Sequence, residues 1–158
     1  MNNQGEINIF LADFAAQQIA IEQAYGLLEQ RAVNLSSNRP ETLESTAYQL
    51  HNLYSAIEDL LKLIAAYFEN NISDSSRWHS LLLRRMTQPV IDIRPAVLSS
   101  QSYQDLNDLR GFRHFFRHAY GVEIDEAQLQ SNLSKARRLK SQLKKDLTAF
   151  ANVIQTIK

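Results

Sequence analysis

Residues 50–68 read LHNLYSAIEDLLKLIAAYF. Leu50, Leu53, Ile57, Leu61, Ile64 and Phe68 recur three and four positions apart, which places them on one face of a helix. A strand would need alternation with period two, and none is present here. Four glycines and three prolines in 158 residues also leave little turn chemistry for a β protein.

The same spacing extends in both directions. Upstream, Ile9, Phe10, Phe14, Ile19, Ile21 and Leu27 fall within a first helix over roughly 7–32. VNLSSNRP (33–40) is a loop, and Pro40 followed by Glu41 suits the first turn of the second helix. Downstream, ENNISDSS (69–76) breaks that helix and RWHSLLLRRM (77–86) forms a shorter third one. TQPVIDIRPAVLSSQS (87–102), with two prolines, is a long irregular connector. A fourth helix is predicted from Tyr103 to Tyr120, with Gly121 as its C′ residue. Asp125 can cap a long last helix whose Leu129, Leu133, Ala136, Leu143, Leu147, Phe150, Ile154 and Ile157 form another apolar stripe. The prediction is all-α: one domain over 1–158, an up-and-down bundle of four main helices plus a short one.

Composition sets outer bounds. Hydrophobic residues make up 44% and charged residues 22%, as in ordinary globular proteins. The absence of cysteine removes a disulfide framework, a zinc ribbon and a cysteine nucleophile. MNNQGEINIFLADF lacks the basic-then-apolar order of a signal peptide, and no apolar run approaches the ~18 residues of a membrane span. A cytoplasmic protein without a membrane partner is expected.

The formal charge of zero hides an asymmetry: residues 1–109 hold seven Lys/Arg and thirteen Asp/Glu, residues 110–158 ten and four. Such a molecule either offers one basic surface to a polyanion or neutralises its halves against each other. The asymmetry begins at RGFRHFFRHAYG (110–121), which holds two of the four histidines and three of the seven phenylalanines. At about 100° per residue, Arg110, Arg113, His114, Arg117 and His118 share an arc of roughly 140°. Phe112, Phe115, Phe116 and Ala119 lie across from it, so the phenylalanines read as core, and only Asp108 is near in sequence to offset the repulsion.

Arginine forks match phosphate oxygens, and imidazole titrates near neutrality. Metal-free RNA cleavage needs both: proton transfer from the 2′-hydroxyl and to the leaving oxygen, and a cation for the charged phosphate. A generic anion-binding or solvated face stays open beside that chemistry. His114 and His118 are spaced i, i+4, but Phe115 stands where zinc proteases carry glutamate, and three arginines would repel a cation. No metal and no cofactor are expected.

Arg113, four residues, His118, one residue, Tyr120 resembles the signature of HEPN-domain ribonucleases, in particular the HepT toxin branch, with His114 in the polar position after the arginine. The likeness covers roughly 45–125, through SAIEDLLKLIAAYFE, RWHSLLLRRM, IRPAVLSS and DLRGFRHFFRHAYG in that order. It implies a HEPN-like homodimer whose motif helices face each other across a cleft. It also implies a metal-independent endoribonuclease toxin acting on cellular RNA, with tRNA one candidate. The implied partner is an MNT-type nucleotidyltransferase antitoxin that transfers AMP to the motif tyrosine. Carried over residue by residue, Arg113 and His118 are the catalytic pair, His114 supports them, and Tyr120 is the AMPylation site. Arg110 and Arg117 complete the cationic face. This chain has no nucleotidyltransferase motif, so it would be the target of modification.

Glu58, at the edge of the second helix's stripe, is placed to hold Arg113 or a histidine, or is simply solvated. Trp78 is expected in the core or a dimer contact and His79 at the surface. The basic run from Lys135 to Lys145 is left outside the site as a solvated face. The alternative function is a non-catalytic HEPN subunit that binds nucleotide or substrate for a nucleotidyltransferase. A purely structural helical dimer would leave the Arg/His face unexplained.

Overall fold

The computed structural model describes residues 4–69, 78–118 and 123–157, with His118 described as to its backbone alone. Among these residues five helices follow one another: α1 (Gln4–Ala32), α2 (Pro40–Glu69), α3 (Trp78–Met86), α4 (Ser100–His118) and α5 (Glu126–Thr156). Contacts join α1 to α2, α2 to α4, α4 to α5 and α5 back to α1, so the four long helices close a ring. α3 packs on α4 and α2 from outside that ring. This is the all-α bundle of four main helices and one short one.

α2 is the hub because its apolar side is widest. Leu50, Leu53, Ile57, Leu60, Leu61 and Ile64 are all buried. Phe10 and Phe14 of α1 meet Phe150 of α5 at ring-centroid distances of 6.5 and 5.9 Å, and Phe10 meets Phe68 of α2 at 5.2 Å. Several residues of the predicted stripes face outward: Ile9, Ile19, Leu27 and Ile157 are exposed. In α1, Ile7, Phe10, Phe14, Ile21, Tyr25 and Leu28 carry the burial.

Helix ends follow their capping chemistry. Asp125 accepts from the Gln128 N–H at 3.0 Å and caps α5 as predicted. α4 begins at Ser100, three residues before the predicted Tyr103, because Ser99 precedes it as a cap: the Ser102 N–H donates to Ser99 Oγ at 3.3 Å. Asp146 of α5 accepts from both the Ser99 N–H and Oγ–H, at 3.0 and 2.9 Å, tying that helix start to α5. Glu69, expected to open the break at 69–76, is the last residue of α2, while residues 70–76 and the predicted helix end at Tyr120 and Gly121 lie outside the described residues.

The connector from 87 to 99 is less irregular than its prolines suggested. A turn closes between Val90 and Arg94, with Asp92 at φ 62°. Arg94 has no solvent-exposed side chain and serves as the clasp: Nε donates to Glu69 at 2.8 Å, while the guanidinium also reaches the carbonyls of Gln88 and Pro95 at 3.0 Å. Arg85 pairs with the same Glu69. Burial alone would raise the Glu69 carboxyl, but hydrogen bonds from Arg94 and Arg85 win and hold it below the usual carboxylate range.

Candidate active site

The site grows from the packing of α4 on α2. Leu106, Leu109 and Phe112 of α4 are buried, as are Leu53, Tyr54 and Ile57 of α2. This contact sets which residues of the RGFRHFF segment meet α2. Arg113 is half-buried; its Nε donates to Ser55 Oγ at 3.3 Å and its guanidinium lies 5.7 Å from the centre of the Tyr54 ring. Arg110 donates to Asn107 Oδ1 of its own helix at 3.0 Å. Arg117 and His114 are exposed.

None of the ion pairs among the described residues involves Arg110, Arg113 or Arg117. The last helix contrasts with them. Lys135 pairs with Asp108 at 3.1 Å, Arg137 with Glu29 at 2.7 Å, and Arg138 with the buried Asp105. Cross-neutralisation of the two halves therefore holds for these α5 residues, and Asp108 faces Lys135 rather than offsetting the arginines. Hydrogen bonding from Arg137 lowers the Glu29 pKa in step.

Glu58 is not a solvated residue. It is 3% exposed and meets His79 Nδ1 at 2.7 Å, with Lys62 at 4.0 Å. With the carboxylate ionised, the His79 Nδ1–H donates to it. The histidine that Glu58 holds is thus on α3, and no ion pair links Glu58 to Arg113. His79, expected at the surface, is half-buried in this pair. Trp78 packs against the core, with Lys62 Nζ 4.8 Å from its ring centre.

Two α2 residues in the site had no role assigned from sequence. Tyr54 is 1% exposed, and its hydroxyl has no protein hydrogen-bond partner among the described residues. Burial, then the charge of Glu58, drives its pKa upward, against the pull of Arg110 and Arg113. His51 has a buried Nδ1, likewise without a protein partner among the described residues. Burial first, then the Arg113 and Arg117 charges, lower its pKa, so it is neutral at pH 7. The signal was available: Tyr48, His51, Ser55 and Glu58 follow one another at three- and four-residue steps along one side of α2.

Phe115 corrects the assignment of all three phenylalanines to the core. Phe112 is 4% exposed and Phe116 packs at the core's edge, whereas Phe115 is 38% exposed. Taking Arg110 as zero, the buried Ser102, Asp105, Leu106, Leu109 and Phe112 centre near ~260°, not at the ~180° opposite the arginines. That offset turns Arg113 toward α2 and Phe115 toward solvent. The His118 side chain and Tyr120 lie outside the described residues, while the His118 backbone is within α4. No group of three or more potential metal-ligating side chains occurs among the described residues.

A family model described as HepT-like protein matches residues 45–154, from α2 almost to the end of α5. The chain belongs to the HepT-like family. The match takes in every residue of the site and extends past the segment over which the resemblance was visible by motif. HepT-like proteins form a HEPN-domain family broadly associated with nucleases and with a toxin–antitoxin context. No curated protein and no solved structure matches the chain. No described helix is long and apolar enough to cross a membrane.

Proposed function

We propose that this HepT-like protein is a metal-independent endoribonuclease toxin, with Arg113 and His118 as its catalytic pair. The observation that carries the proposal is Arg113 itself. Its guanidinium is fixed by Ser55 and the Tyr54 ring while no carboxylate among the described residues neutralises it. A positioned, uncommitted cation suits a phosphate whose charge grows in the transition state. His118 supplies the titratable group, Arg110 and Arg117 extend the anion-binding face, and His114 supports it. Glu58 acts at one remove, through the buried wall it builds with Tyr54 and His79.

Cleavage proceeds by attack of the 2′-oxygen on the adjacent phosphorus, breaking the bond to the 5′-oxygen of the next nucleotide. The 2′-hydroxyl proton leaves to a base and the departing oxygen takes a proton, so the products are a cyclic phosphate end and a 5′-hydroxyl end. The active unit is a homodimer: one copy supplies a single Arg113 and a single His118, and two motif helices set opposite each other would enclose a strand. An MNT-type nucleotidyltransferase is the proposed antitoxin partner, adding AMP to Tyr120. The added phosphodiester brings one negative charge that competes with RNA for the arginines, and its bulk obstructs the groove.

The test is to incubate the purified protein with total RNA in excess EDTA, beside Arg113→Ala and His118→Ala. The expected result is cleavage by the native protein and loss of about two orders of magnitude or more in each variant. Activity that disappears on chelation and returns with one divalent ion would overturn the mechanism. Intact RNA with tight nucleotide binding would favour the non-catalytic partner subunit instead.

A further inference from the structure

Beside the arginines, four rings follow one another from solvent into the core. Tyr48 and His51 of α2 stand 6.4 Å apart at 30°, and His51 and Phe116 of α4 stand 5.9 Å apart at 37°. Phe116 then meets Phe112 at 6.5 Å and 18°. The inner end is fixed, since Phe112 is 4% exposed, while the outer ring, Tyr48, is 53% exposed. A ring supported on one face by neighbours and open to water on the other has little rotamer freedom to lose when something stacks on it.

The surroundings select what that something is. The charged groups that act on His51 are Arg113 and Arg117, both cationic, and neither enters an ion pair among the described residues. A purely apolar partner would leave these charges unanswered, and a second copy pressed onto the patch with no strand between the two would bring its own arginines against them. A nucleic-acid strand answers both features, placing phosphates at the arginines and a base against the rings. Neutral His51 suits the role, because an imidazole without charge continues the aromatic ladder between Tyr48 and Phe116.

We infer that Tyr48, backed by His51 and Phe116, is a stacking platform for an unpaired base of the RNA whose phosphates Arg113 and Arg117 hold. The substrate at this site is therefore a single-stranded or looped segment, since a base paired within a duplex presents no free face to Tyr48. Tyr48 is a binding residue, and the chemistry stays with Arg113 and His118. The identity of the strand as substrate rests on the ribonuclease proposal, but the platform is tested by binding alone.

The experiment measures fluorescence anisotropy of the full-length protein with a labelled 2′-O-methyl oligouridylate, which cannot be cleaved, and with an abasic oligomer of the same length. Tyr48→Ala is expected to weaken the base-bearing strand about tenfold or more and to leave abasic binding unchanged. Tyr48→Trp should restore the affinity. Arg117→Ala should weaken both strands alike, because phosphate contacts ignore the base. Equal loss on both strands in Tyr48→Ala, no loss on either, or no binding of the base-bearing strand by the native protein overturns the platform. So does conversion of a sedimenting dimer to a monomer by Tyr48→Ala, which would make a second copy the occupant. Failure of the native protein to cut RNA would sink the nuclease proposal and leave this binding result to stand separately.

Discussion

Replacing Arg113 with lysine separates charge from geometry at the centre of the site. Lysine keeps the positive charge, so repulsion with Arg110 and Arg117 stays nearly constant. What it loses is the Nε–H donated to Ser55 at 3.3 Å and the planar group over Tyr54 at 5.7 Å. A hydrogen bond of this kind contributes about 0.5–1.5 kcal/mol and a partly exposed cation–π contact about 0.5–1 kcal/mol. Because the ammonium retains part of the second, the net loss should be about 1 kcal/mol. For a domain of this size that lowers Tm by about 2–4 °C. Catalysis should suffer more, by at least about tenfold, because a flexible point charge stabilises the crowded phosphate less well than a positioned fork. Initial rates on a fluorogenic RNA in EDTA, paired with urea melts, measure both effects. Wild-type rate and stability in Arg113→Lys would show that the fork is unused. Loss of activity in step with a destabilisation above about 4 kcal/mol would make Arg113 a structural residue instead.

Phe112→Ala should destabilise by about 3–5 kcal/mol and Phe115→Ala by about 1 kcal/mol or less, since only the first ring is buried; chemical denaturation reads the difference. Glu69 has a lowered pKa, so its contribution is full above its unfolded value of about 4.3 and disappears as pH falls through the folded value. Glu69→Gln should therefore flatten the acid limb of the stability curve measured by urea midpoints. His51, also lowered, binds its proton more weakly when folded, so stability should decline as pH falls below about 6.5, and His51→Phe should reduce that decline. On the proposed AMPylation, Tyr120→Phe, if active, should gain no AMP mass on co-expression with an MNT-type nucleotidyltransferase that modifies the native protein and should escape silencing by it; full silencing of that variant would remove the tyrosine as the switch.

The helices were legible in the sequence because helix formation is local. The three- and four-residue spacing of Leu50, Leu53, Ile57, Leu61 and Ile64, Pro40 at the head of α2 and Asp125 before α5 act within one or two turns of chain. The clustering of Arg110, Arg113, His114, Arg117 and His118 on one helix was legible for the same reason. Periodicity could not say which direction on α4 points inward, because that is chosen by the neighbours. α2, α3 and α5 surround α4 so that the buried side lies well off the point opposite the arginines, which leaves Phe115 in water and brings Arg113 against Ser55 and Tyr54. Tertiary contact likewise decided the partners of the charges. Glu58 meets His79 across 21 positions of chain, and Arg137 meets Glu29 across 108. No spacing rule spans such separations, since the pairing energy depends on distances that exist only after the helices have packed.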